Sequence, residues 1–314
     1  MRGLLIANPN ATTTDATTRD VLVSAIRSVV TLEAVTTSHR GHAAELAARA
    51  AVDGTELVVV LGGDGTVHEV VNGLLDAAVP GRPLPALATI PGGSANVFAR
   101  ATGVPNNPVE ATGAILSAVR MRRFALIGLG RANGRWFTCN AGIGLDADVI
   151  AAMERQRSAG KRATPARYVA TAVGQYFAHT DRRSAALTLL PGASAPVGAV
   201  FLAIVQNCSP WTYMGSVPVN ACPDASFETG LDVFGARSMG LATSLRVTTR
   251  ILRSAPAPKR GASLFLAHDL SGLTIVAGRE MALQIDGEAL GTTRHVVFES
   301  RPAALRIVDP TGTG

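Results

Sequence analysis

Lysine is almost missing from this sequence. Lys161 and Lys259 are the only two, so the positive charge rests on arginine. The formal net charge of +6 admits attraction to an anionic surface (membrane lipid, nucleic acid or nucleotide phosphate) and equally a plain compositional bias. Aromatic residues make up 4% of the chain, and no basic helix is interleaved with them, which disfavours nucleic-acid binding. Cysteine is scarce too. Cys139, Cys208 and Cys222 are odd in number and form no CxxC pair. That speaks against a disulfide framework or a structural zinc site and for a reducing compartment. No apolar run approaches ~20 residues, so no transmembrane helix is expected. Met1–Ala7 is too short for a signal peptide before the turn at Asn8-Pro9-Asn10. A cytoplasmic location follows, and a homodimer is left open.

What is plentiful is apolar material. Hydrophobic residues are 47% of the 314 and charged residues 17%, enough for a sizeable core in one large domain or two. The first part of the chain alternates. Leu4–Ala7, Leu32–Thr37, Leu57–Leu61 and Pro85–Ile90 read as strands. Between and after them, Asp15–Val30, His42–Val52, the stretch from Val67 to Ala78, Ser94–Arg100 and Pro108–Val119 read as helices, the first capped by Thr14 or Asp15. This alternation predicts a Rossmann-like parallel sheet with helices on both faces over residues 1–122. Over 123–314 strand signals dominate: Phe124–Leu129, Trp136–Cys139, Leu187–Leu190, Val197–Val205, Leu231–Phe234, Leu273–Val276 and Met281–Ile285. Helical stretches at Leu145–Arg157, Arg167–His179 and Met239–Leu252 interrupt them. The expectation is an α/β protein with a C-terminal, mainly antiparallel β domain carrying helical insertions.

The chemistry concentrates at strand ends. Gly62-Gly63-Asp64-Gly65-Thr66 follows a buried strand and opens a strong helix. Glycines there let a backbone approach a ligand, and the helix N-terminus favours an anion. Asp64 suits Mg²⁺ or a hydroxyl, while Thr66 can cap the helix and donate to a phosphate. The plain alternative is a tight turn. Pro91-Gly92-Gly93-Ser94-Ala95-Asn96 repeats the arrangement at the same sheet edge, with Ser94 as a helix cap. Asn8-Pro9-Asn10-Ala11-Thr12 and Thr37 lie at that edge as well. Far downstream, Gln284-Ile285-Asp286-Gly287-Glu288 ends a strand in a turn with two carboxylates. It is either a solvated hairpin or the source of a proton acceptor.

Taken together, Gly62–Thr66 with His68-Glu69-Val70-Val71-Asn72-Gly73, followed by Pro91 to Arg100, resembles the diacylglycerol kinase catalytic domain. Gln284–Glu288 and the tail Pro302–Ile307 resemble the bacterial lipid kinase branch, to which sphingosine and ceramide kinases are related. The resemblance implies ATP and Mg²⁺ as cofactors. It implies nucleotide binding by Asn8, Pro9, Asn10, Ala11, Thr12, Thr37, Gly62, Gly63, Asp64, Gly65, Thr66, Val67, His68 and Ser94, with Asp64 facing the metal. Glu288 takes the place of the proton acceptor, with Asp286 as its catalytic or metal-linked partner. Asp146 and Asp148 resemble acids near the lipid headgroup, although an acid at a helix start also caps. Ser94 and Val97 replace the family's usual Thr and Asp. Thr229 stands where soluble bacterial relatives carry an Asp that binds a structural magnesium, so that second metal is not expected.

The activity implied is transfer of the ATP γ-phosphoryl group to a lipid hydroxyl, diacylglycerol giving phosphatidic acid. The protein would act from the cytoplasm with transient contact to the inner membrane surface. Arg237, Arg246, Arg250, Arg253, Lys259 and Arg260, with Leu241, Leu245, Ile251 and Leu252, are candidates for that contact. The competing readings are a sphingoid base or a soluble acceptor such as NAD, and a non-catalytic lipid- or nucleotide-binding regulator.

Overall fold

The structure, a computed structural model, describes every residue except 10, 12–15, 160–163, 193, 254–262 and 313–314. Asn10, Thr12, the cap at Thr14 or Asp15, and the Lys259 and Arg260 loop therefore lie outside the described residues. The chain forms two compact units, Met1–Gly128 with Ala303–Gly314, and Leu129–Pro302.

The first unit is built on β1 (Arg2–Ala7), β2 (Thr31–Thr36), β3 (Leu57–Gly62) and β4 (Ala86–Pro91), all parallel, in the order β2-β1-β3-β4. Every residue of β3 and β4 is buried, as their unbroken apolar sequences require of strands covered on both faces. The helices are α1 (Ala16–Arg27), α2 (His42–Val52), α3 (Asp64–Asp76), the single-turn α4 (Val97–Ala101) and α5 (Pro108–Arg120). Leu22 and Ile26 of α1 and Ile115 and Ala118 of α5 join Leu5, Leu57, Val59 and Ala88 in one core. α2 and α3 pack on each other. Asn107 caps α5 by accepting from the amides of Val109 and Glu110, with Pro108 as the first helical residue.

The second unit is mainly antiparallel. The chain enters it within β5 (Phe124–Ala132) and leaves it within β16 (Glu288–Val308). Between these run β6 (Arg135–Phe137), β7 (Asn140–Ile143), α6 (Leu145–Ser158), α7 (Pro165–Gly174) with a π turn over Gln175–His179, β8 (Leu187–Leu190), β9 (Val197–Val200) and β10 (Leu202–Gln206). They are followed by β11 (Thr212–Met214), β12 (Val217–Val219), β13 (Leu231–Ala236), α8 (Leu241–Leu252), β14 (Leu264–Leu270) and β15 (Gly272–Ile285). The ladder β14-β13-β10-β7-β15 is antiparallel throughout. Phe137 and Phe298 meet edge to face at 6.3 Å in its core. Among the described residues no helix is long and apolar enough to cross a membrane. The three cysteines are buried, and none is in a disulfide among the described residues.

Several local expectations change. The strand expected over Trp136–Cys139 stops at Phe137, because Thr138 and Cys139 turn their amides to Asp286. Val197–Val205 is two strands, broken at Phe201, whose amide donates to Ala236. The stretches Leu273–Val276 and Met281–Ile285 belong to one long strand with a register shift between them. Neither hydroxyl expected to cap a helix does so. α3 begins at Asp64 with Gly63 as its N-cap, and α4 is preceded by Asn96 in a left-handed conformation, which leaves Ser94 exposed.

Candidate active site

In the first unit β1 and β3 flank the point where strand order reverses, the place where open α/β sheets bind ligands. The segments after β1, β2, β3 and β4 all emerge at that carboxyl edge. Asn8 donates from Nδ2 to Thr66 Oγ1 at 3.0 Å, and its amide donates to Leu61 at 2.9 Å. Thr37 holds the end of β2 by donating its amide to Ala7 at 2.8 Å. The two Gly-rich loops interlock, backbone on backbone. The Gly92 amide donates to Gly62 at 2.8 Å, and a Cβ on Gly93 would stand 2.8 Å from the Cα of Gly63. No other residue fits that contact. Asp64 strengthens it, because Oδ1 accepts the Phe98 amide at 3.1 Å and so clamps α3 to α4. Asn96 bridges its own loop by accepting from the Gly93 amide at 2.8 Å.

Gly65 is different. It sits in the first turn of α3, exposed, and a Cβ there would meet nothing within 4 Å. The fold has no need of glycine at this position, whereas a ligand lying on the helix N-terminus does. Thr66, Val67 and His68 point inward, and the His68 ring is buried beside Asn72. Pro9 is exposed and Ala11 half-buried, with the Ala11 methyl close to Gly92. The two Gly-rich loops, 62–66 and 91–96, offer one exposed glycine, one carboxylate and one exposed hydroxyl, Ser94. Among the described residues no group of three or more His, Cys, Asp or Glu could hold a metal alone. The Asp64 carboxylate at these loops fits Mg²⁺, which is commonly held by one or two carboxylates plus substrate phosphates. At the other edge of the sheet, a cleft of about 420 Å³ lined by Arg2, Thr31, Glu33, Arg49 and Asp53 faces away from these loops.

In the second unit Asp286-Gly287 forms a two-residue hairpin between β15 and β16, with φ of 47° and 80°. Such turns need positive φ at both positions, which Asp-Gly supplies. Asp286 is half-buried and its carboxylate is engaged by the chain around it. Oδ2 accepts from the amide and hydroxyl of Thr138 at 2.7 and 3.0 Å, and Oδ1 from the amides of Cys139 and Asn140 at 2.9 and 3.1 Å. Two residues on, Glu288 Oε2 receives Arg135 Nη2 at 2.7 Å. Arg135 was not foreseeable, since it lies 153 residues away at the tip of another hairpin.

Asp146 is buried in the first turn of α6, where Oδ2 accepts from Gln284 Nε2 at 2.7 Å. Gln284 also donates to Asn140 Oδ1 at 2.9 Å and accepts the Gly287 amide at 2.9 Å, so one side chain ties Asp146 to the hairpin. Gly142 is glycine because the Asp146 carboxylate occupies the space of its Cβ. Burial pushes the Asp146 carboxyl up to about 6, against the lowering hydrogen bond from Gln284. Neither Asp146 nor Asp148 is the helix cap. Gly144, at φ 91°, has that position.

A doubly covered parallel sheet with two interlocked Gly-rich loops at its switch point defines an α/β site suited to phosphate. Residues 2–154 match the diacylglycerol kinase catalytic domain. A diacylglycerol kinase of Bacillus subtilis (strain 168) is 38% identical over 109 residues, 34% of this chain and 33% of that protein. A diacylglycerol kinase of Staphylococcus saprophyticus is 33% identical over 118 residues, 38% of this chain and 36% of that protein. These matches span about a third of the relatives' own length. A crystal structure of a diacylglycerol kinase from Bacillus anthracis str. Sterne has the same fold, with a TM-score of 0.74 at 23% identity over 98% of this chain and 96% of that one.

Proposed function

We propose that this protein transfers the γ-phosphoryl group of ATP to a lipid hydroxyl, with diacylglycerol as acceptor and phosphatidic acid as product. The observation that carries the reading is Gly65. It is an exposed glycine that the fold does not require, in the first turn of α3 and beside the two interlocked loops. The match of residues 2–154 to the diacylglycerol kinase catalytic domain supports the same reading.

The residues divide the work as follows. Backbone amides at the start of α3 and the hydroxyl of Ser94 would hold the phosphates, with Asn8 and Thr37 supporting the same edge. Asp64 would meet Mg²⁺ carried on the nucleotide, and the ion would neutralise phosphate charge there. In the second unit Glu288 accepts the proton of the lipid hydroxyl as its oxygen bonds to phosphorus and the bridge to ADP breaks. Arg135 orients the Glu288 carboxylate. Asp286 acts through the backbone it gathers, which sets the hairpin that presents Glu288. Asp146 and Asp148 would lie toward the acceptor side, Asp146 through the hydrogen bond it receives from Gln284. Catalysis of this kind is positioning and electrostatics rather than covalent chemistry.

The test is incubation with radiolabelled ATP and a panel of lipid alcohols plus NAD. Label in phosphatidic acid is the expected result. Label in a phosphorylated sphingoid base alone would reassign the acceptor, and label in NAD alone would overturn the lipid reading.

A further inference from the structure

Among the described residues, two helical faces of the second unit have no partner. Along α7 and its π turn, Ala166, Val169, Ala170, Val173, Phe177 and Ala178 are all exposed, Phe177 at 54%. Along α8, Leu241 and Leu245 are 61% and 67% exposed, and Leu252 shares their stripe. The inner side of α8 is accounted for, because Ile251 and Val247 pack into the cluster formed by Tyr176, Phe234 and Met239. The outer stripes are therefore not misplaced core. The two elements are fastened together, since Tyr176 donates its hydroxyl proton to the carbonyl of Met239 at 2.6 Å, just ahead of α8.

Charge tells what covers them. Neither residues 164–180 nor residues 240–253 contain an Asp or Glu. Arg182, Arg183, Arg246 and Arg253 are exposed around the apolar stripes. Arg182 lies over the rings of Tyr176 and Phe177, 4.9 and 5.4 Å from their centroids, so cation and apolar ring are presented as one group. The nearby acid, Asp181, is committed to Arg279 at 3.1 Å and to the amides of Arg183 and Ser184. An apolar stripe bordered by arginines matches the boundary between acyl chains and anionic headgroups. A second copy of the chain fits poorly, because a two-fold contact would set these arginines against themselves.

We propose that the outer faces of α7, its π turn and α8 together form the surface that docks on an anionic lipid bilayer. Phe177, Val173, Leu241 and Leu245 enter the acyl boundary while Arg182, Arg183, Arg246 and Arg253 meet phosphate headgroups. The proposal deepens the lipid kinase reading and rests on it for its biological sense, but its test needs no turnover.

The experiment is cosedimentation of the full chain, without nucleotide, with phosphatidylcholine–phosphatidylglycerol vesicles and with pure phosphatidylcholine vesicles. Wild type should sediment with the anionic vesicles at low salt and be released at high salt. Phe177→Asp with Leu245→Asp should weaken binding by at least ~10-fold, as loss of two inserted apolar side chains requires. Arg182→Glu with Arg246→Glu should do the same and decides the matter if the first pair fails to fold. Equal binding by a folded double variant and wild type would overturn the proposal. So would wild type that ignores anionic lipid, or variants whose only change is loss of a dimer in sedimentation velocity. Both double variants should still phosphorylate detergent-solubilised diacylglycerol. Vesicle binding by a wild type that labels no lipid alcohol would sink the kinase reading and leave this surface standing. Turnover without vesicle binding would do the reverse.

Discussion

Asp64 and Asp286 look alike in the sequence. Each follows an apolar strand, precedes a glycine and sits where a kinase needs a carboxylate. The fold treats them differently. Asp64 opens a helix and gives Oδ1 to the amide of Phe98. Asp286 gives both oxygens to four donors and organises residues 138–140. A carboxylate whose lone pairs are spent on backbone amides has little left for a proton or a metal. In the mechanism proposed above the proton acceptor of the second unit is Glu288, which meets the Arg135 guanidinium. Proximity in a motif therefore does not assign roles. The surroundings of each carboxylate set the two apart.

The sharpest way to break this contrast is at Asp64. Asp64→Asn keeps an acceptor for Phe98 but removes the charge, so phosphoryl transfer should fall about a thousandfold while the melting temperature holds. Wild-type turnover in that variant would remove Asp64 from the chemistry. Asp286→Ala should show the opposite balance. Leaving the amides of residues 138–140 unsatisfied should cost ~3 kcal/mol in urea unfolding, and a loss below ~1 kcal/mol would refute its structural role.

Glu288→Gln should lower kcat about a hundredfold with little change in stability. A drop confined to KM would point to binding rather than proton transfer.

Asp146 offers a pH test of the same contrast. Its carboxyl is held up to about 6 in the folded chain and returns to its ordinary value of 3.8 when unfolded, so the folded state binds the proton more tightly. This group's contribution is fully present below the unfolded value and is lost as pH rises through about 6. The change should be ~3 kcal/mol, read as urea midpoints across that window. Asp146→Asn should flatten the curve, and parallel curves for the two proteins would sink the idea.

The smallest effect is the most telling about the loop. Gly65→Ala should raise stability by ~0.5–1 kcal/mol, since alanine is the better helix former and its methyl meets nothing. It should also weaken nucleotide binding. If binding is unaffected, the glycine does not serve a phosphate.

Much of the first unit was legible in the sequence. His42–Val52 and Leu57–Leu61 emerge within a residue of their predicted ends, because parallel strands buried on both faces leave unbroken apolar runs and their helices leave a 3.6-residue period. The second unit was legible only in outline. Its strands are short, and their ends are set by distant amides, as Phe137 and Phe201 show. Helix caps were misread where glycine and a left-handed asparagine, rather than hydroxyls, start the helices.

By itself, then, the sequence determined the alternation that makes a parallel sheet, the placing of Gly-rich turns at its carboxyl edge, and the Asp-Gly hairpin. These depend on local period and on backbone conformations that few residues can adopt. Tertiary structure alone decided that Gly93 packs on Gly63, that Asp286 is saturated while Glu288 meets Arg135, that Asp146 is buried, and that α7 and α8 turn apolar stripes outward. Each of these joins residues far apart in the chain. What a carboxylate can do depends on the donors and the solvent around it, and only the folded chain supplies those.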